Sequence, residues 1–164
     1  MPRYVEKLRV PIQLALSGEE GVAGFFSLFP AAEHHEGPET LLERLNAPQR
    51  MLPFHRAVDG AFTLVVRERI EWLAAGGDTP TELLRPHWFI PTREERVRVR
   101  TAHGKTFDGI LELEMPHEFN RASDFLNTDC DFFMLATGQG TIFLNKAMVL
   151  DIRVFEAAPV PKVA

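Results

Sequence analysis

The stretch VRVRTAHGKTFDGILELEM, from Val97 to Met115, decides the fold class. Valines alternate with arginines at its start, and a polar turn at His103-Gly104-Lys105 separates this run from a second apolar run. Alternation with a period of two is typical of a half-buried strand. Gly109 shifts the phase of the second run, as a glycine does where a strand bends sharply in a small barrel. The stretch therefore predicts two antiparallel strands with a bend in the second.

The remainder of the C-terminal part continues the same pattern. Three short apolar segments, DFFML, TIFLN and VLDIRV, follow a loop that ends in SDFLN. Gly138-Gln139-Gly140, between the first two of these segments, is a hairpin signal. We therefore expect a five-stranded unit over residues 96–156, followed by a tail over residues 157–164.

A weaker copy of this unit can be laid over the N-terminal half, residues 1–74. Its strand-like segments are RVPIQLAL, VAGFFSLF, RMLPFH, AFTLVV and RIEWL. We match Arg9 with Arg96, and Gly24 with Gly109, because each change in spacing then falls in a turn or loop, where insertions are tolerated. The predicted fold is mainly β, with two duplicated five-stranded small barrels and short helices in the connections. The alternative is a chance repeat of one hydrophobic pattern in an all-β protein.

Short helices are expected at two places. Residues 38–45 start with a proline and an acid, and their leucines share one face. Residues 78–84 follow the same logic, with Pro80 at the first helical position. This second helix belongs to a connector over residues 75–95 that is too apolar to remain in water, so we expect it to pack against one or both barrels.

Composition argues against several classes of function. The chain has 164 residues, of which 45% are hydrophobic, enough for one ordinary core or two small ones. A formal net charge of −5 argues against a protein that binds nucleic acid by neutralising phosphates. The charged N-terminus and the lack of a long apolar run predict a cytoplasmic protein without a membrane span. The single cysteine, Cys130, is expected to be a half-buried structural thiol.

Enzymatic chemistry finds little support in the sequence. Glu33-His34-His35-Glu36 is the densest group of potential metal ligands, but adjacent side chains point apart, so we expect a solvated loop and no metal. Motifs for an activated nucleophile, for phosphate binding or for a Cys-x-x-Cys site are missing. We therefore interpret the chain as non-enzymatic and without a cofactor. The alternative is an enzyme whose site forms between the two units.

The sharpest charged feature is Arg96-Val97-Arg98-Val99-Arg100. On a strand its three guanidinium groups share one face and form a ridge that phosphate or carboxylate groups can bind. Of the two interpretations we favour the other, an exposed face paired across the sheet with Glu112, Glu114 or Asp151. The spacing of Arg96 and Arg100 resembles the arginine motif of PilZ domains, which bind cyclic di-GMP, although the second element of that motif has no match after Arg100.

The loop from Asn120 to Asn127 is the other informative stretch. It is expected to be a structural loop, but an arginine, a serine and an acid at a barrel rim are also typical of a binding site. With the closing Asn145-Lys146, this loop resembles an uncharacterised bacterial β-domain, from which no activity can be carried over. The order of strands and turns resembles the small barrels of the SH3-like and Sm-like kind, and that likeness concerns fold rather than function.

These observations favour a non-enzymatic adaptor or scaffold that mediates protein-protein interaction or self-association in a bacterial cytoplasmic assembly. The expected partner is a protein, a homo-oligomer is one option, and nucleic acid and membranes are not expected partners. The alternative function is a sensor of nucleotides or other small anions that uses the arginine ridge. The candidate binding residues are Arg96, Arg98, Arg100, Arg121, Ser123, Asp124, Asn127 and Lys146.

Overall fold

The computed structural model of the chain describes residues 6–86, 89–113, 126–128 and 130–159. Two short helices, α1 (Leu41–Asn46) and α2 (Thr81–Leu84), lie in the connections, and single 3₁₀ turns at Arg67–Arg69 and Lys146–Met148 lead into two strands. The prediction of a mainly β protein is confirmed. The strands are β1 (Leu8–Leu16), β2 (Val22–Leu28), β3 (Met51–Arg56), β4 (Phe62–Val66), β5 (Ile70–Gly76), β6 (Arg93–Thr101), β7 (Thr106–Leu113), β8 (Phe132–Thr137), β9 (Gly140–Asn145) and β10 (Val149–Pro159).

All ten strands belong to one antiparallel sheet with the order β10-β6-β7-β8-β9-β5-β1-β2-β3-β4. The sheet is not closed: β10 lies at one edge and β4 at the other. The N-terminal and C-terminal halves are joined by β5 and β9, which pair from Trp72 with Leu144 to Gly76 with Gly140. Two separate barrels were expected from the sequence, and among the described residues the strands instead form one open sheet. β5 and β9 lie far apart in the sequence, so no pattern within either strand predicts that they pair.

Two glycines, one in each half, lie where a neighbouring strand comes close. Gly24 of β2 lies opposite Ile12 of β1, and Gly109 of β7 lies opposite Val97 of β6. A Cβ atom on Gly24 would lie 2.2 Å from the carbonyl oxygen of His55, so only glycine fits this crossing. Counted from these glycines, Arg9 of β1 takes the position of Glu94 of β6, two residues from Arg96, with which the sequence pattern aligned it.

Two hydrophobic clusters lie on opposite faces of the central strands. Successive residues of a strand point to opposite faces, and Phe132 and Phe133 of β8 accordingly belong to different clusters. Cluster 1 combines the N-terminal strands and α1 with Phe132 and Phe143, whereas cluster 2 combines β6 and β7 with residues of β1, β5, β8 and β9. Each half therefore supplies side chains to the core of the other.

Of the two helices, α1 follows the capping rules that its sequence suggests and α2 does not. Thr40 is the N-cap of α1 and forms a capping box with Glu43, which satisfies two backbone N–H groups. Pro80 is the N-cap of α2 rather than its first helical residue, and no side chain caps this helix. The connector packs through Leu83 and Leu84 against cluster 1. The last strand extends to Pro159, three residues past the predicted end of the second unit at 156.

The structure bears on two expectations about side chains that could be reactive, the Cys130 thiol and the histidines of residues 33–36. Cys130 is exposed, so the prediction of a half-buried thiol was wrong. His34 is exposed, as expected for a solvated loop. The His35 side chain is instead largely buried, and its ring nitrogen Nε2 lies 2.6 Å from the Glu43 carboxylate. The part of the chain that the structure describes contains no group of three His, Cys, Asp or Glu side chains placed to hold a metal ion.

Candidate functional site

The arginine ridge lies on β6, one strand in from the β10 edge. Its arginines are exposed while Val97 and Val99 are buried, because side chains alternate along a strand. Arg98 makes a bidentate pair with Asp108 of β7, with Nε 2.7 Å from Oδ1 and Nη2 3.1 Å from Oδ2. Arg100 makes the same kind of pair with Asp151 of β10. Two of the three guanidinium groups thus already have carboxylate partners within the sheet.

These pairs shift the pKa values of their members in the expected directions. The hydrogen bonds from Arg98 lower the pKa of Asp108, and those from Arg100 lower the pKa of Asp151. The same hydrogen bonds raise the pKa values of both arginines. All four groups are solvent-exposed, so the pairs orient side chains and contribute little to folding stability.

Arg96 has a different environment, because it lies over an aromatic ring. Its guanidinium carbon is 5.7 Å from the centre of the Phe155 ring on β10, and Arg98 and Arg153 approach the same ring at 5.6 and 4.9 Å. Within the described part of the chain Arg96 has no carboxylate partner. A cluster of positive charge, from Arg96, Arg98 and Arg153, therefore lies around the Phe155 ring at the exposed edge of the sheet.

The remaining predicted site residues are not all brought to this ridge. Lys146 begins the 3₁₀ turn before β10, and its Nζ donates to the carbonyl oxygen of Thr128 over 3.1 Å. Asn127 is exposed. Arg121, Ser123 and Asp124 lie outside the described residues. The structure thus groups Arg96, Arg98 and Arg100 on one strand and places Lys146 and Asn127 in other segments.

The residues at the two free edges of the sheet were not among the candidate binding residues predicted from the sequence. β4 presents Phe62, Leu64 and Val66 to solvent, and β10 presents Leu150, Val154 and Phe155. An unpaired edge strand exposes a row of backbone N–H and C=O groups and is a template for pairing with another chain. The alternating apolar residues of AFTLVV were a signal for β4, but nothing in a single strand shows whether it has one neighbour or two.

The pairing of β5 with β9 shows how such edges are joined inside this chain. We call this pairing and the contacts beside it the internal junction. Arg67 reaches across it to Asp131, with Nη1 2.7 Å from Oδ2. Asn145 donates through Nδ2 to the carbonyl oxygens of Glu68 and Ile70 at 3.0 and 2.9 Å.

Asn46 at the end of α1 completes the internal junction. Its Oδ1 accepts from the backbone N–H of Phe132 at 2.9 Å, and its Nδ2 donates to the Phe132 carbonyl at 3.2 Å. A single amide side chain thereby takes the place of a strand neighbour for one residue of β8. Short polar side chains placed beside the strand ends therefore fix the register of the junction.

Comparison of the chain with protein-family models, with curated proteins and with solved structures found no match. The resemblances to SH3-like and Sm-like barrels, to PilZ domains and to an uncharacterised bacterial β-domain therefore stay predictions. In the described part of the chain, no helix combines the length and the apolar character needed to cross a membrane.

Proposed function

We propose that this protein is a non-enzymatic scaffold whose two halves are copies of one five-stranded unit. The strand order β5-β1-β2-β3-β4 of the first half corresponds to β10-β6-β7-β8-β9 of the second. The glycines support this reading, since Gly24 approaches the His55 carbonyl and the Phe54 ring, while Gly109 approaches the Ala136 carbonyl and the Leu135 side chain. In both halves a three-residue 3₁₀ turn leads into the last strand.

The scaffold proposal rests on which strands form the two free edges of the sheet. The internal junction joins the fifth strand of the first unit, β5, to the fourth strand of the second, β9. The free edges are the fourth strand of the first unit, β4, and the fifth strand of the second, β10. A second copy of the chain therefore offers each edge the same kind of partner that the internal junction already uses. Such head-to-tail contacts close into a ring or extend into a filament, depending on the rotation at each contact.

The residues beside the free edges support this geometry in part. Asn127 of the second unit corresponds to Asn46 of the first, and it is exposed. In a head-to-tail pair it would meet the backbone of Met51 at the start of β3, as Asn46 meets Phe132 within the chain. The apolar side chains of both edge strands would then be covered by a neighbouring strand, which removes exposed apolar surface from water.

Sedimentation velocity with two edge variants tests this proposal. Leu64→Lys places a charge on β4, and Val154→Lys places one on β10, so each variant should lose the concentration-dependent association of the natural chain. A mixture of the two should form a heterodimer and stop there, because each variant keeps one intact edge. Ile90→Lys, a matched exposed change in the connector, should associate normally. A natural chain that is a monomer at all concentrations, or a mixture that forms no heterodimer, would contradict self-association.

A sensor of nucleotides or other small anions is the second candidate function. The observation that favours it is the positive cluster around Phe155, where Arg96 keeps its charge without a carboxylate partner among the described residues. Its cost is that Arg98 and Arg100 must leave Asp108 and Asp151 to bind a ligand. Thermal melting with cyclic di-GMP decides this, since a ligand that binds the folded chain raises the midpoint and Arg96→Ala should remove the rise. An unchanged midpoint would exclude this ligand.

A further inference from the structure

A large cleft lies in the N-terminal half, between β2 and β3. These strands pair only at Gly24 with Arg56 and at Phe25 with His55, and beyond this point they diverge. The cleft that opens there has a volume of about 1040 Å³. Buried Phe26 and Leu52 lie at its base. Ser27, Pro53, His55 and Phe62 are among the residues along its walls.

The corresponding place in the second half is filled by the chain itself. β7 and β8 also pair at a single position, Ile110 with Ala136, which corresponds to Phe25 with His55. The end of α2 lies over this gap and leaves a cavity of only about 100 Å³, lined by Leu84 and Arg85 together with residues of β7, β8 and β9. The occupant of the second cleft is thus a short helical turn with adjacent leucines.

Charge complementarity accompanies this internal occupant. Arg85 follows the leucines of α2, and its Nη1 lies 3.1 Å from Oε2 of Glu112 on β7. Glu112 corresponds to Ser27 in the first half, where no carboxylate takes its place. The apolar contact and the ion pair together show what a segment must carry to fill a cleft of this kind.

The cleft between β2 and β3 is lined mainly by positive side chains, whereas the second cleft presents the negative Glu112 to its occupant. Lys7, Arg9 and Arg44 line it, against a single carboxylate from Glu6. Lys7 and Arg9 lie over the Phe29 and Phe25 rings and have no carboxylate partner in the part of the chain that the structure describes. Arg44 is paired with Glu39, but its buried Nε has no hydrogen-bond partner there. A segment that fills this cleft in the manner of α2 should therefore present a carboxylate where α2 presents Arg85.

We propose that the cleft between β2 and β3 docks a short segment of a partner protein, in which adjacent leucine-like side chains are followed by an acidic residue. This inference rests on the proposed function of a scaffold and names the chemistry of a second partner, separate from the copies joined at the sheet edges. The leucines replace water over Phe26 and Leu52, and the carboxylate pairs with Arg9 or Lys7. The result is a scaffold that carries one docking position in each chain.

Fluorescence anisotropy with two labelled peptides tests the docking. The acidic probe is acetyl-DTPTELLE-amide, which copies residues 78–84 and ends in glutamate, and the control probe is acetyl-DTPTELLR-amide, which copies residues 78–85. We expect the acidic peptide to bind roughly tenfold more tightly, a difference typical of one partly desolvated charge pair. In the protein, Arg9→Glu should reverse this preference. In the acidic peptide, replacement of both leucines by serine should abolish binding. Arg9 is exposed, so the Arg9→Glu variant is expected to fold, and circular dichroism is the check on its fold.

Several outcomes would overturn the docking proposal. Equal binding of the two peptides, or loss of binding in Arg98→Glu rather than in Arg9→Glu, would remove the charge complementarity. Competition by naphthalene-2-sulfonate at the affinity of the peptide would make the cleft a small-molecule site. A fall in peptide binding as the protein concentration rises would assign the cleft to a second copy. Val154→Lys separates the two proposals, because it should abolish self-association and leave peptide binding unchanged. Peptide binding without self-association would leave the docking proposal standing alone.

Discussion

At the scale of single residues, two glycines let neighbouring strands of the sheet approach closely. Gly24 and Gly109 each face the carbonyl oxygen of a neighbouring strand at a distance that no Cβ atom tolerates. A side chain at either position has to push β3 or β8 away, and both strands carry buried core residues. The glycines thus allow β2 to lie close to β3, and β7 close to β8.

Gly109→Ala should therefore destabilise the fold by about 1–3 kcal/mol, the usual cost of overpacking a well-filled site. The added Cβ would lie 2.5 Å from the Ala136 carbonyl oxygen. Urea unfolding measures the change in free energy. Gly138→Ala is the matched control, because nothing lies within 4 Å of its Cβ position, and its stability should stay close to that of the natural chain. Equal stabilities of the two variants would contradict the close approach at Gly109.

His35 is the residue for which the structure predicts a dependence on pH. Its Nδ1 lies 2.8 Å from the Glu36 carbonyl oxygen and its Nε2 lies 2.6 Å from the Glu43 carboxylate. Both partners can accept hydrogen bonds, and a ring with both nitrogens protonated donates to each of them. The Glu36 carbonyl first, and the Glu43 carboxylate second, raise the pKa of His35 above its ordinary value.

A raised pKa in the folded state adds stability below the ordinary histidine pKa, and that stability is lost as pH rises through the folded pKa. The difference in unfolding free energy between the natural chain and His35→Gln should accordingly be larger at about pH 5 than at about pH 9. Chemical denaturation at both pH values measures it, and His34→Gln, an exposed neighbour, serves as control. A difference that does not change with pH would show that His35 is not protonated in the fold.

At the scale of elements, the internal junction depends on side chains that come from loops and turns. Asn46 ends α1, Arg67 begins a 3₁₀ turn, and Asn145 ends β9, yet all three bond to the opposite half. Strand pairing alone would permit a register slip by two residues, which keeps every side chain on its own face. The three polar side chains are bound to particular backbone or carboxylate groups and thereby oppose such a slip.

Asn46→Ala should cost about 1–3 kcal/mol of stability, since it leaves the N–H and C=O groups of Phe132 without their side-chain partners. Asn127→Ala, the corresponding change in the second half, should be close to neutral in dilute solution, because Asn127 is exposed. Thermal and urea unfolding of both variants provide the comparison. Equal losses would mean that the amide of Asn46 contributes no more than an exposed one.

At the scale of the whole molecule, the proposed contact between copies differs from the internal junction in its charges. Arg67 and Asp131 form an ion pair inside the chain. Their counterparts at the free edges are Lys146, which begins the 3₁₀ turn before β10, and Arg50, which precedes β3. Two positive side chains would thus meet where the internal junction has opposite charges, and this weakens association at low ionic strength.

Association should therefore strengthen as salt rises from about 0.05 M to about 0.5 M, because screening acts over roughly 10 Å at 0.1 M and less at higher salt. Arg50→Asp should restore an ion pair with Lys146, strengthen association at low salt and reverse its salt dependence. Sedimentation equilibrium gives the association constants. Arg56→Asp, at the other end of β3, is a charge-matched control. Identical salt dependence in the natural chain and in Arg50→Asp would place the contact elsewhere.

Much of the local structure could be predicted from the sequence, and the long-range structure could not. The alternation after Val97, the hairpin at Gly138 and the helix before Leu45 depend on neighbours in sequence, and each is present. The pairing of β5 with β9 joins residues far apart in the chain, so the sequence pattern predicted two barrels and not one open sheet. The arginine ridge was visible, whereas its pairing with Asp108 was not, because a register across strands decides which charges meet.

The two clusters on opposite faces of the central strands fix the length of β8. A single residue inserted within β8, after Phe133, would put the two parts of the strand out of phase, so that Phe132 and Phe133 could not keep their clusters while Leu135 kept cluster 2. The turn at Gly138-Gln139, by contrast, is exposed and can accept additional residues. During divergence of such a chain, length should change freely in its peripheral turns and hardly at all in the strands that its two cores share.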